Sequence, residues 1–118
     1  MSEINDRRLL QRTRLALYLN VLDAVTEQSL GHIIDINVCG FLLLSKTAWQ
    51  EGSPFGAKIE LPDTEPQAYA TCEAIVRRAS KSVNPSFYEN AFEITHVSPD
   101  NRELIEQLEH ALLLKFGQ

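Results

Sequence analysis

Gln67-Ala68-Tyr69-Ala70-Thr71-Cys72-Glu73-Ala74-Ile75-Val76-Arg77-Arg78 sets Ala68, Ala70, Cys72, Ala74 and Val76 at alternate positions, with Tyr69, Thr71, Glu73, Ile75 and Arg77 between them. A period of two sends successive side chains to opposite faces of an extended chain. One face is therefore small and apolar, and the other mixes polar and larger groups. The stretch reads as a long strand, and its surroundings read alike. Upstream, Gly56-Ala57-Lys58-Ile59-Glu60-Leu61 alternates between a loop at Gln50 to Phe55 and a closing Pro62-Asp63-Thr64-Glu65-Pro66. Downstream, a loop over Ser80 to Pro85 leads to a strand near Phe87 to Thr95.

The pattern continues toward the amino terminus. Leu15 to Val25 places Leu15, Leu17, Leu19 and Val21 on one face, which predicts a first strand. Thr26-Glu27-Gln28-Ser29 breaks it before β-branched residues in Gly31-His32-Ile33-Ile34-Asp35-Ile36 favour another, so a hairpin is expected. Asn37 to Gly40 has the chemistry of a tight turn, and Phe41-Leu42-Leu43-Leu44 leads away as a strand. Residues 1 to 14 lack strand alternation and are read as a mobile arm.

After the last strand the period changes. Ser98 can cap a helix, Pro99 suits its first position and Asp100 complements its positive end. Leu104, Ile105, Leu108, Ala111, Leu112 and Phe116 share a broad apolar face, widened by Leu113 and Leu114, with Gly117 as a stop. Such a face closes a barrel end or meets a partner. The expected organisation is an arm over residues 1–14 and a β-domain over 15–118 ending in a helix at about 98–116.

With 118 residues, 44% hydrophobic and 23% charged, the chain is long enough for one domain with its own core. A formal net charge of -5 argues against binding nucleic-acid polymers or anionic membranes. The charge is unevenly placed. Four of eleven basic residues, Arg7, Arg8, Arg12 and Arg14, lie within eight positions, whereas Asp100, Glu103, Glu106 and Glu109 crowd the tail. A local anion site can sit on such a protein. No signal peptide and no membrane-spanning run is read, and Cys39 and Cys72 form no C-x-x-C, so a cytoplasmic setting without membrane insertion is expected.

Arginine presents a planar fork suited to phosphate oxygens and guanine edges, while a carboxylate accepts from guanine N1-H and N2-H2. Arg8-Leu9-Leu10-Gln11-Arg12 followed by Asp35-Ile36-Asn37-Val38-Cys39-Gly40 supplies both, on an arm and beside a turn. A solvated basic arm, an aspartate bonding the turn after it, and turn geometry at Asn37 and Gly40 are the structural alternatives, and for Asn37 and Gly40 turn geometry comes first. His32, His96 and His110 lack metal-ligand spacing, and no nucleophile motif, P-loop or dinucleotide fingerprint appears, so neither a metal nor catalysis is expected. Cys39 is read as a buried or half-buried thiol and Trp49 as a core or lid residue.

This arrangement resembles the PilZ family, whose signature is R-x-x-x-R followed by D/N-x-S-x-x-G. Arg8 and Arg12 match the first motif, and Asp35 and Gly40 the ends of the second, with Asn37 where the family has serine. Tyr88-Glu89-Asn90-Ala91-Phe92-Glu93-Ile94, Ser98-Pro99-Asp100 and the helical tail are similar to the family's ending, although the late-strand glycines are missing. The resemblance implies a mainly β fold, a six-stranded antiparallel β-barrel with a flexible N-terminal arm and a C-terminal α-helix. It implies cyclic di-GMP as ligand and no other cofactor. Arg8 would take guanine O6/N7 or stack on a base, with Arg7 as its substitute if the register slips by one. Arg12 would take phosphate, Asp35 the guanine edge, Asn37 the serine's place, and Gly40 would let the backbone approach. Arg77 or Arg78 could add a cation. The implied function is a receptor, monomeric or weakly dimeric, that signals to an unidentified protein effector in motility, biofilm or virulence control. The alternative is a degenerate PilZ-like adaptor that binds no nucleotide and works through protein contact.

Overall fold

The computed structural model describes residues 19–116. The arm, with Arg7, Arg8 and Arg12, and the Leu15 and Leu17 end of the first expected strand lie outside the described residues. Six strands and a helix follow one another: β1 Asn20–Asp23, β2 Ser29–Asn37, β3 Gly40–Ser45, β4 Pro54–Glu60, β5 Tyr69–Lys81, β6 Tyr88–His96 and α1 Pro99–Phe116. The strands close into an antiparallel barrel in the order β1-β2-β3-β6-β5-β4, with β1 pairing back onto β4. Closure removes the unpaired edges an open sheet would expose.

The small apolar face of β5 points inward: Ala70, Cys72, Ala74 and Val76 are buried, as are Val21, Ile33, Ile36, Leu43, Ala57 and Ile59 from the other strands and Leu19 just before β1. Small residues on β5 leave room for the rings of Phe41 and Phe92, which stack with centroids 5.1 Å apart. The helix packs over β2 and β5, and Ile105 and Leu108 join the buried cluster. Its start is tied down at both ends of one side chain. The Asn101 backbone N–H and Nδ2 both donate to Ser98 Oγ, while Asn101 Oδ1 accepts from the Thr71 N–H at 2.8 Å. Trp49 is half-buried, donates from Nε1 to the Leu30 carbonyl at 2.9 Å and meets Phe55 edge-on.

Several boundaries differ from the expected ones for local reasons. The first strand was expected to reach Val25 but ends at Asp23, whose carboxylate accepts from the N–H groups of Val25 and Thr26 and turns the chain. Val25 is left exposed. Ser80 and Lys81, expected in a loop, extend β5 by pairing with Glu89 and Tyr88. Pro54 opens β4 two residues earlier than the Gly-Pro loop suggested.

Candidate functional site

Two of the irregularities in the ladder shape one part of the barrel's outer face. The first lies in β2. His32 pairs with Leu44, Ile33 with Leu43, and then Asp35 with Leu42, so Ile34 is an extra residue. A bulge reverses which face the following residues take. Ile33 points inward and is buried; without the extra residue Asp35 would follow it into the core. Instead Ile36 is buried, while Asp35 and Asn37 share the outer face and are exposed. The second irregularity lies in β5, where Val76 pairs with Phe92 and Arg78 with Ala91, leaving Arg77 as the extra residue.

Directly paired residues point to the same side of a sheet. Asp35, Leu42, Ala91 and Arg78 therefore form one outward row across β2, β3, β6 and β5, and Asn37, Gly40 and Glu93 form part of the next. Between these rows lies an open cleft of about 380 Å³, bordered by Asp35, Asn37, Cys39, Gly40, Arg77 and Glu93. Its size is within the range of small-molecule sites.

The turn at the cleft's rim is made by Asn37, not by Asp35. Asn37 Oδ1 accepts from the N–H of Cys39 at 2.7 Å and of Gly40 at 3.2 Å. This is the local side-chain turn for which asparagine is suited. The Cys39 carbonyl then accepts from the Ile94 N–H at 2.9 Å, which fastens the turn to β6. Gly40 is demanded by proximity: a Cβ there would lie 2.2 Å from the Phe92 carbonyl oxygen. Arg77 donates from Nε to Glu93 Oε1, and both side chains are about half exposed. The described part of the cleft thus holds two carboxylates, Asp35 and Glu93, against the single guanidinium of Arg77 at its border.

Solved structures that share this architecture include two PilZ-type proteins. The Bacillus subtilis inhibitor of motility MotI/DgrA matches with a TM-score of 0.67 and 19% identity, over 82% of this chain and 47% of that one. The PilZ domain of Escherichia coli YcgR, determined with c-di-GMP, matches with a TM-score of 0.61 and 19% identity, over 83% of this chain and 82% of that one. The fold is that of a PilZ domain. The chain spans about half the length of MotI/DgrA. No protein-family model matches the sequence, and no curated protein aligns with it significantly.

On this PilZ barrel, Asp35, Asn37 and Gly40 come together at one cleft. Arg7, Arg8 and Arg12 lie outside the described residues. Arg77 and Glu93 extend the sequence-level set: Arg77 was named only beside Arg78 as a further cation, and Glu93 was not singled out. The β2 bulge shows in the burial of Ile33 and Ile36, three apart, an odd spacing that no regular strand can turn to one face, whereas the sequence alone fits Ile34 and Ile36 to an unbroken alternation. The bulge at Arg77 likewise depends on its partner strand.

Cys39 corrects an expectation: its thiol is exposed at the cleft rather than buried, because the turn lifts it off the barrel wall. Cys72 faces the core, where burial, and then Glu73, push its thiol up to about 12. A thiol held protonated is a poor nucleophile. Iodoacetamide at pH 8 is therefore expected to label one cysteine of the folded protein, Cys39, and both in denaturant. Mass spectrometry of the labelled peptides checks this, and rapid labelling of Cys72 in the folded state would contradict the inward placement of β5.

Among the described residues, no group of three or more His, Cys, Asp or Glu side chains is arranged to hold a metal ion. No described helix is long and apolar enough to cross a membrane.

Proposed function

We propose that the protein is a cyclic di-GMP receptor that passes its state to another protein by contact, in the control of motility. The observation that carries this reading is the bulge at Ile34, which turns Asp35 outward to the face of Asn37, beside a cleft closed at its rim by the Asn37–Gly40 turn. Asp35 offers a carboxylate to a guanine edge. Asn37 keeps its Nδ2 as a donor, since its oxygen is engaged in the turn. A dianionic ligand also needs cations, and Arg8 and Arg12, with Arg7, are the ones this reading assigns to it. Support for the ligand comes from the likeness to the YcgR PilZ domain determined with c-di-GMP, and for the process from the likeness to an inhibitor of motility.

Calorimetric titration with cyclic di-GMP, with GTP and cyclic GMP as controls, tests the proposal. Micromolar or tighter binding confined to the cyclic dinucleotide is expected. Arg12→Ala is expected to lose about 2 kcal/mol of binding, as for a hydrogen bond to a charged group, with melting temperature unchanged. Wild-type affinity in that variant would remove Arg12 from the site.

A second reading has its own observation. The Ala91 methyl group stands in the cleft's outward row where the family pattern has glycine, and the Asn37 oxygen is already used. Both favour an adaptor that acts without nucleotide. No heat with any of the three ligands would select it.

A further inference from the structure

We infer that Arg77 is an anion-contacting residue of the cleft, and that Glu93 is its resting partner, a carboxylate of the chain itself standing where a phosphate of the ligand would go. The inference rests on the cyclic dinucleotide reading of the cleft and names two residues that the family signature does not contain.

The geometry begins with the β5 bulge. Because Arg77 is the extra residue between Val76 and Arg78, it has no paired neighbour on β6 and its side chain joins the border of the cleft. Glu93 reaches the same border from β6, where it pairs with Gly40, the last residue of the turn. Gly40 has no side chain to separate Glu93 from Asn37, so the carboxylate stands directly beside the turn. Arg77 Nε donates to Glu93 Oε1. With side chains 56% and 50% exposed, this pair is held weakly. It occupies one edge of a guanidinium whose fork can serve a phosphate with two parallel bonds.

Two consequences follow from charge. A phosphate arriving at Arg77 competes with Glu93 for the same donors, and the displaced carboxylate then repels the bound dianion. Glu93 therefore lowers affinity for any phosphodiester in the cleft, while keeping Arg77 oriented toward it in the empty protein. Glutamine at position 93 retains the shape and an acceptor for Arg77 but removes the charge.

Calorimetry with cyclic di-GMP on wild type, Glu93→Gln, Arg77→Ala and the double variant tests this, with melting temperatures to show that each barrel is intact. Glu93→Gln is expected to bind about fivefold tighter and Arg77→Ala about tenfold weaker. The double variant is expected to stay close to Arg77→Ala, since releasing a guanidinium brings no gain once it is gone. Binding by Glu93→Gln where the wild type shows none would also support the inference. Unchanged or weaker binding by Glu93→Gln, or unchanged binding by Arg77→Ala, overturns it while leaving the receptor reading intact. Absence of binding by wild type and Glu93→Gln alike overturns both.

Discussion

Gly40→Ala is expected to destabilise the protein by about 3 kcal/mol, at the upper end of overpacking effects, and to weaken any ligand that uses the cleft. The added Cβ would meet the Phe92 carbonyl oxygen at 2.2 Å, and backbone cannot rotate away as a flexible side chain can. Retreat of the turn is blocked on two sides. Asn37 Oδ1 holds the N–H groups of Cys39 and Gly40, and the Ile94 N–H holds the Cys39 carbonyl. Separating β3 from β6 would instead disturb the stacked Phe41 and Phe92 rings beneath. Gly52 provides the contrast, because it has φ +88 with nothing within 4 Å of an added Cβ. Gly52→Ala therefore carries only a backbone cost of about 1 kcal/mol. Urea unfolding separates the two: a lower midpoint with unchanged slope for both variants, and a several-fold larger shift for Gly40→Ala. Equal shifts would mean that the β3–β6 approach relaxes freely.

The strands were legible where one face is buried and the other wet. β5 is the clearest case, since its inward residues are small and evenly spaced, and the Ser98-Pro99-Asp100 helix start is equally local. Its capping bond and its docking on Thr71 depend on neighbouring residues and on one long-range contact that respects them. Legibility failed at the bulges. Ile34 and Arg77 are extra residues only in relation to partner strands, so no property of Ile33-Ile34 or Val76-Arg77 alone determines them. The candidate site suffers most from this, because both bulges border it. Asp35, Asn37 and Gly40 were named from a short motif whose turn is local. Glu93 escaped because its meaning lies in facing Gly40 and Arg77 across two different strand pairings. Cys39 departs from expectation for the opposite reason: thiols are usually buried, but the local turn held by Asn37 carries this one outward.

Asn90→Ala is expected to cost about 4 kcal/mol, from three lost hydrogen bonds at about 1 kcal/mol each and the cavity left behind. Asn90 is wholly buried. Its Nδ2 donates to Ser45 Oγ and to the Thr47 carbonyl, each at 3.1 Å, and its Oδ1 accepts from the Trp49 N–H at 2.9 Å. One amide thus fixes the segment after β3 and, through Trp49, reaches the Leu30 carbonyl on β2. Aspartate is no substitute, since it loses the donor and buries a charge. The single tryptophan makes the loss directly observable: Asn90→Ala is expected to red-shift Trp49 emission as the segment loosens, together with the lower unfolding midpoint. Emission and midpoint both like wild type would show that the backbone supplies its own partners there. Ligand binding is expected to respond differently. Asn90 and Phe92 point into the barrel, whereas Ala91 and Glu93 face the cleft from the same strand. Alternation on β6 therefore separates Asn90, which holds the fold, from Ala91 and Glu93, which border the cleft, and Asn90→Ala should retain whatever affinity the cleft has wherever it remains folded.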